Sequence, residues 1–262
     1  MEKIELIQKL NEILLEEMPL YQQSAEQFTR DISSQRQLFK SLMNVRTPMP
    51  LRKDYVALQD QLLSYEREEK GVVNVSSLPT TTDPHIILWR GDITRINAEA
   101  IVNAANSTLL GCFQPCHSCI DNAIHSAAGL QLREECGRIM KKQGYEELTG
   151  QAKITAAYNL PSQYVIHTVG PIIIGRLEQS DSELLASCYQ SCLEVAERNK
   201  VKSIAFCCIS TGEYRFPADM AAEIAIHTVL EYLSKSKSEI KVIFNVFKES
   251  DETFYRRILG AN

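Results

Sequence analysis

Residues 100–106 read Ala-Ile-Val-Asn-Ala-Ala-Asn, an apolar run that ends in small residues and a second asparagine. Such a run predicts a buried strand. From residue 85 onward, further short β-rich runs alternate with helical stretches. This alternation predicts an α/β fold with helices on both faces of one sheet. The predicted strands are 85–89, 100–103, 153–157, 164–168, 203–209 and 241–247, and the predicted helices are 121–143, 181–199, 217–235 and 251–259.

The first 71 residues differ, because they lack the alternation typical of strands. Their apolar residues recur at the three- and four-residue spacing of amphipathic helices, and Pro19 should end the first of them. The predicted helices are 4–18, 24–43 and 53–69. A polar segment with prolines follows them. The sequence therefore predicts an N-terminal helical extension over 1–71, a connector over 72–84 and an α/β domain over 85–262.

Composition narrows the function classes. A net charge of −5 and a pI near 5.7 argue against broad binding to nucleic acid, although backbone N–H groups can still hold a small anion. Neither a membrane-spanning run nor a secretion signal is present in the sequence, so we expect a cytoplasmic protein without nucleic-acid or membrane partners. In that reducing compartment, five cysteines in apolar or helical contexts should be buried free thiols: Cys136, Cys188, Cys192, Cys207 and Cys208.

Residues 111–121 read Gly-Cys-Phe-Gln-Pro-Cys-His-Ser-Cys-Ile-Asp, so three cysteines and a histidine lie within eight residues. Thiolates and imidazole are the ligands that zinc prefers. We predict Cys112, His117 and Cys119 as ligands, because Cys116 adjoins His117 and is awkward as a joint ligand. Three ligands would leave the open position of a catalytic site, whereas a fourth from Cys116 would make the site structural. A metal-free cluster of reduced thiols is the remaining alternative.

Polar residues also follow several predicted strands, where α/β sheets bind ligands. Asp121 could orient or deprotonate a water beside the metal, or only cap the next helix. Asp92 could accept from an exocyclic amine or cap a turn, and Asn106 suits either ribose hydroxyls or a turn. A Ser-Thr-Gly turn at 210–212 could offer N–H groups to a diphosphate. His125 is interpreted as a packed core histidine rather than a fourth ligand.

Together these stretches resemble the signatures of the macrodomain family, which binds ADP-ribose. The segments that carry the resemblance are 91–94, 100–106, 121–125, 165–171 and 210–212. The resemblance covers about residues 84–262 and implies a three-layer α/β/α macrodomain with a mixed central sheet. Most members have a run of glycines where this chain has 112–119. That replacement resembles the zinc-containing bacterial branch, which removes ADP-ribose from modified proteins, carries a helical N-terminal extension and is linked to sirtuins.

The resemblance also implies roles for individual residues. Asp92 would hold the adenine amine, and Ile93 would add a backbone contact. Asn106 and Asp121 would act at the distal ribose as the catalytic pair, beside one zinc ion per chain. The residues that would wrap the diphosphate are Ser210, Thr211, Gly212, Glu213 and Tyr214.

The activity implied is zinc-dependent hydrolysis at the anomeric carbon of the distal ribose, which releases mono-ADP-ribose from a modified protein. Typical glycosidases use two carboxylates, whereas this loop offers Asp121 and a zinc ion that would bind either water or a ribose hydroxyl. The substrate would be a mono-ADP-ribosylated protein, with a lipoyl-carrier protein as one candidate, and ADP-ribose would be the product. Two alternatives stay open: a non-catalytic ADP-ribose reader with a structural zinc site, and a scaffold that presents the N-terminal helices to a partner.

Overall fold

The apolar runs between residues 86 and 246 form one six-stranded sheet in the computed structural model, which describes residues 2–260. The strands are β1 Ile86–Arg90, β2 Ala100–Ala105, β3 Ala152–Ala156, β4 Tyr164–Val169, β5 Ser203–Phe206 and β6 Lys241–Val246. Their order is β1-β6-β5-β2-β4-β3. Only the edge strand β3 is antiparallel to its neighbour, so the expectation of a mixed sheet is confirmed.

Helices cover this sheet and also form the N-terminal part of the chain. They are α1 Lys3–Glu17, α2 Gln22–Ala25, α3 Ile32–Val45, α4 Lys53–Lys70, α5 Ile120–Ala128, α6 Leu130–Gln143, α7 Gln179–Arg198, α8 Ala218–Ser236 and α9 Glu249–Leu259. Helices α7, α8 and α9 pack side by side, with α7 against β3 and β4 and α9 against β1. Helices α5 and α6 pack together against β2 and β3. The predicted three-layer α/β/α architecture with N-terminal helices is therefore confirmed.

Three predicted elements differ from the observed ones by more than two residues. The single helix predicted over 121–143 breaks at Gly129, whose φ of 96° ends α5. The single helix predicted over 24–43 is interrupted: α2 ends at Ala25, and α3 begins at Ile32, where the Asp31 side chain caps it by accepting from the Ser34 N–H at 3.0 Å. The strand predicted over 203–209 ends at Phe206, which is the last residue of β5 paired with β6.

The N-terminal helices α1, α3 and α4 bury an apolar cluster of their own, which Leu130 of α6 completes. Hydrogen bonds also join α4 to the sheet-bearing part of the chain. Gln59 Oε1 accepts from the Leu130 N–H at 2.9 Å, and Asp60 Oδ1 accepts from Asn159 Nδ2 at 2.7 Å. The helices thus pack directly on the α/β layers. The domain limits at residues 71 and 84 stay predictions. Among the helices within 2–260, none is long and apolar enough to span a membrane.

Candidate active site and metal centre

A cleft of about 830 Å³ opens where the parallel strands β1, β2, β5 and β6 end. Its size falls in the range of small-molecule sites, and its place is the one that α/β sheets use for ligands. Every residue that the sequence singled out for the site lines this cleft: Asp92, Ile93, Asn106, Cys112, His117, Cys119, Asp121, Ser210, Thr211, Gly212, Glu213 and Tyr214. The structure therefore brings the whole predicted set together, although its members are spread over residues 92–214 of the chain.

Asp121 lies in the first turn of α5 and is only 5% exposed. Burial raises the pKa of this carboxyl to about 6, while the hydrogen bond from Asn103 and the charge of Arg133 act in the opposite direction. Its Oδ1 accepts from Asn103 Nδ2 at 2.8 Å, and its Oδ2 from Asn106 Nδ2 at 3.4 Å. Two amides of β2 and its C-terminal end thus fix the orientation of a carboxylate whose pKa lies near neutrality.

His167 of β4 contacts Asn103, the residue that donates to Asp121. Its Nδ1 lies 3.2 Å from Asn103 Nδ2, and its Nε2 lies 3.0 Å from Thr155 Oγ1. Burial lowers the pKa of His167 to about 4, so the ring is neutral near pH 7. Since Asn103 Nδ2 can only donate, Nδ1 is the acceptor and Nε2 carries the proton. The neutral tautomer is therefore required for the hydrogen-bond chain that reaches Asp121.

His125 packs inside the same region. Its Nε2 lies 3.5 Å from Asp121 Oδ1, yet neither ring nitrogen has a hydrogen-bond partner within residues 2–260. Burial lowers the pKa of His125 well below its usual value, with further contributions from His167 and Arg133. The contact is consequently a packing contact with a neutral ring and not an ion pair. This geometry agrees with the interpretation of His125 as a core residue.

Asn106 has both of its polar atoms engaged. Its Nδ2 donates to the Gly111 carbonyl at 3.1 Å as well as to Asp121. Its Oδ1 accepts from the N–H and the hydroxyl of Thr108, at 3.1 Å and 2.6 Å. Asn106 thus joins Asp121 to the segment that follows β2, in addition to facing the cleft.

The segment 111–119, called the cysteine–histidine loop below, holds the predicted metal ligands. The ligand atoms of Cys112, His117 and Cys119 all lie within 4.8 Å of one another, and Cys112 Sγ is 3.7 Å from His117 Nδ1. Cys119 Sγ also accepts from the Asn122 N–H at 3.4 Å, at the N-terminus of α5, where negative charge is favoured. Two thiols and an imidazole at this spacing fit a zinc ion.

Cys116 lies outside this ligand group. Its Sγ contacts α3, at 3.3 Å from Ser41 Oγ and 3.7 Å from the Gln37 carbonyl oxygen. On the other side of the loop, His117 Nε2 lies 3.5 Å from Glu213 Oε1. His117 thus has one nitrogen toward the thiols and the other toward a carboxylate of the opposite cleft wall.

That opposite wall is the segment 210–216, called the Ser-Thr-Gly loop below. Ser210 has a φ of 64°, in the left-handed region of the backbone. Within residues 2–260, the N–H groups of Gly212, Glu213 and Tyr214 donate to no backbone acceptor. Consecutive N–H groups of this kind are the donors that anion-binding concavities of the backbone use. Gly170 packs directly against this loop. A Cβ at Gly170 would lie 2.0 Å from Ser210 Oγ, so only glycine fits there.

At the far end of the cleft, Asp92 caps a single helical turn, Ile93–Arg95. Its Oδ1 accepts from the Thr94 N–H at 2.9 Å and from the Thr94 hydroxyl at 2.7 Å. The capping role proposed for Asp92 is therefore present. The capping bonds use only Oδ1. Within the described part of the chain, Oδ2 accepts no hydrogen bond, so this oxygen is available to a ligand.

Two residues of the site, Gly111 and Phe247, were not predicted from the sequence. Gly111 has a φ of 80°, and a Cβ there would lie 2.8 Å from the His125 ring, so only glycine fits at the start of the cysteine–histidine loop. Phe247 lines the cleft after β6 and is 77% exposed. The signal for Gly111 was its place directly before Cys112, and the signal for Phe247 was an aromatic side chain at a strand end.

The fold and the site together define an α/β protein in which the buried carboxylate of Asp121 and a loop of potential metal ligands line the same cleft. A family model described as Macro domain matches residues 102–225. A protein-ADP-ribose hydrolase from Treponema medium is 51% identical over 254 residues, which are 96% of this chain and 97% of that relative. A protein-ADP-ribose hydrolase from Staphylococcus aureus (strain MRSA252) is 47% identical over 230 residues, or 86% of this chain and 85% of that relative.

Among solved structures, the Trypanosoma brucei macrodomain in complex with ADP-ribose superposes with a TM-score of 0.65. It is 30% identical, and the match covers 84% of this chain and 95% of that one. This chain therefore belongs to the macrodomain family. Because the named relatives are hydrolases, the predicted placement in the hydrolase branch, and with it the prediction of an enzyme, is confirmed. The links to zinc and to sirtuins stay predictions.

Proposed function

We propose that this protein hydrolyses the bond between mono-ADP-ribose and a modified protein, at the anomeric carbon of the distal ribose, with a zinc ion held by Cys112, His117 and Cys119. The main support for this proposal is that the buried carboxylate of Asp121 and the three potential ligands Cys112, His117 and Cys119 line the same cleft. The relatives named protein-ADP-ribose hydrolase support the substrate class. A lipoyl-carrier protein is the candidate substrate to assay, and the eight free thiols support a reducing, cytoplasmic setting.

The proposed pose of ADP-ribose follows the walls of the cleft. Asp92 Oδ2 accepts from the adenine amine, beside the backbone of Ile93. The unpaired N–H groups of the Ser-Thr-Gly loop hold the diphosphate. The distal ribose then lies between Asn106 and Asp121. This order uses both ends of the cleft and places the anomeric carbon at the cysteine–histidine loop.

Asp121 is assigned the proton transfer. Water adds across the scissile bond: its oxygen bonds to the anomeric carbon, and the electron pair of the broken bond leaves with the protein side chain. The carboxylate of Asp121 orients this water and accepts its proton, and a pKa of about 6 leaves it mostly ionised at pH 7. Asn103 and Asn106 keep the two carboxylate oxygens in place.

In this proposal the metal site supplies the electrostatic part of the catalysis. A zinc ion bound there would supply positive charge and a lowered water pKa at the ribose end of the cleft. Cys112, His117 and Cys119 would hold it, and Cys116, which contacts α3, would not. Burial raises the pKa of the Cys119 thiol to about 12, with smaller effects of Cys112 and Asp121. Loading the site therefore requires a cation that favours the thiolate, which suits zinc.

The test is the release of free ADP-ribose from a mono-ADP-ribosylated protein over time. Chelation should abolish turnover, and zinc should restore it. The Cys119→Ala variant should lose both zinc and turnover, whereas Cys192→Ala, which removes a buried thiol of α7 that does not line the cleft, should keep both. Full turnover in the zinc-free enzyme would refute zinc dependence. Retention of ADP-ribose without any release would favour the reader function.

A further inference from the structure

The side of the cysteine–histidine loop that faces away from the cleft rests on the N-terminal helices. Asn44, in the last turn of α3, accepts through Oδ1 from the Cys116 N–H at 2.9 Å, and Asn44 is only 1% exposed. Ser41, one turn earlier, contacts the Cys116 thiol. A residue between two predicted ligand positions is thus tied to an element more than 70 positions earlier in the chain.

Cys116 also adopts the left-handed backbone conformation, with a φ of 55°. For a residue other than glycine this conformation costs about 1 kcal/mol or more, so neighbouring contacts must maintain it. The left-handed turn directs Cys116 toward α3 and His117 toward the cleft. Without an anchor on Cys116, the loop could relax, and His117 would lose its position beside Cys112.

Arg133 of α6 provides a second link between the same two parts. It is 2% exposed, and its guanidinium stacks at 4.5 Å over the Phe113 ring. Burial lowers the pKa of Arg133 to about 10, which still leaves it charged near pH 7. On the side of α3 it donates to the carbonyls of Met43, Asn44 and Arg46, and on the side of the loop to those of Leu110 and Cys112. The end of α3 and the start of the loop therefore share one buried cation.

From these contacts we infer that the N-terminal helices are part of the metal centre, and that Asn44 is a positioning residue that holds the cysteine–histidine loop in its ligand-binding conformation. The inference rests on the proposed zinc site. It assigns a function to α3 that the sequence did not indicate. It predicts that a change outside the cleft, with no contact to any ligand atom, weakens zinc binding.

The first measurement is zinc affinity, by competition with a chromophoric chelator, in the full-length protein. Asn44→Ala should bind zinc about tenfold more weakly, the lower end of the loss typical for residues that orient metal ligands. The matched control is Asn11→Ala. Asn11 is equally buried in α1 and donates to Gln35, but it does not touch the loop. It should lose stability and keep its zinc affinity. Ser41→Ala, a milder change at a half-buried position, should weaken zinc binding about threefold.

The second measurement is amide hydrogen exchange of residues 112–119 in zinc-free protein. Asn44→Ala should exchange faster there than both the wild type and Asn11→Ala, because the Cys116 N–H loses its acceptor. Equal exchange in Asn44→Ala and Asn11→Ala, or equal zinc affinities, would overturn the inference. If the wild type binds no zinc, the metal in the proposed function fails, and the exchange data still decide whether α3 holds the loop.

Discussion

The stability of this protein should decrease as the pH falls from 7 to 5, because buried His167 resists protonation. Burial lowers its pKa from 6.5 to about 4. The unfolded chain therefore binds a proton below pH 6.5, whereas the folded chain binds it only near pH 4. The stabilisation is fully present above pH 6.5 and is lost as the pH falls toward 4. For one such histidine, the loss between pH 7 and pH 5 is about 2 kcal/mol in the free energy of unfolding. His125, whose pKa is also lowered, adds to this loss in the same direction. Asp121, whose pKa is raised, binds its proton more readily in the folded state and offsets part of the loss.

The assay is urea unfolding of zinc-free protein at pH 7 and pH 5, followed by the fluorescence of Trp89, the single tryptophan. His167→Gln should be less stable than the wild type at pH 7, since it loses its hydrogen bonds to Asn103 and Thr155. Between pH 7 and pH 5, however, it should lose about 2 kcal/mol less than the wild type. The exposed His227 supplies the control, and His227→Gln should behave as the wild type. If wild type and His167→Gln lose equal stability, the low pKa of His167 is refuted.

Three further predictions concern the cleft. Asp121→Asn should keep the hydrogen bond from Asn103 and bind ADP-ribose, but release it from modified protein about 10²- to 10⁴-fold more slowly, because the carboxylate base is lost; an unchanged rate would remove Asp121 from the mechanism. Glu213→Gln should weaken zinc binding several-fold in a chelator competition, since a carboxylate on the second nitrogen of His117 orients that ligand; wild-type affinity would show that their contact is incidental. Gly111→Ala should lower the thermal midpoint by several degrees, because its Cβ would meet a histidine ring at 2.8 Å and its φ is positive; an unchanged midpoint in a thermal scan would contradict that strain.

The sequence predicted the α/β layers and the residues of the cleft because both depend on local signals. A short apolar run such as 100–105 predicts a buried strand, and the polar residues that follow parallel strands meet at one edge of the sheet. Asp92 and Asn106 could therefore be placed in one site although they belong to different strands. Their mutual distances could not be predicted, and neither could the pKa of Asp121, which depends on how deeply α5 buries it.

The errors arise where a distant element decides a local conformation. The break between α5 and α6 at Gly129 is one case. The residues on either side of it have a helical pattern, but a Cβ at Gly129 would lie 2.5 Å from Gln59 Nε2 of α4. The break at Gly129 therefore depends on the packing of α4, whose Gln59 lies 70 positions earlier in the chain. A local pattern contains no signal for such a contact.

The cysteine–histidine loop combines both situations. Its ligand types and their spacing are local, so the sequence sufficed to predict Cys112, His117 and Cys119 as one group. A segment of nine residues without regular structure is, however, too flexible to keep three ligand atoms within 4.8 Å by itself. In this fold the ends of the loop are fixed by Gly111 against His125 and by Cys119 as the cap of α5. Its middle is fixed by α3, and this third anchor explains why a catalytic α/β fold would keep a helical extension of which no described residue lines the cleft.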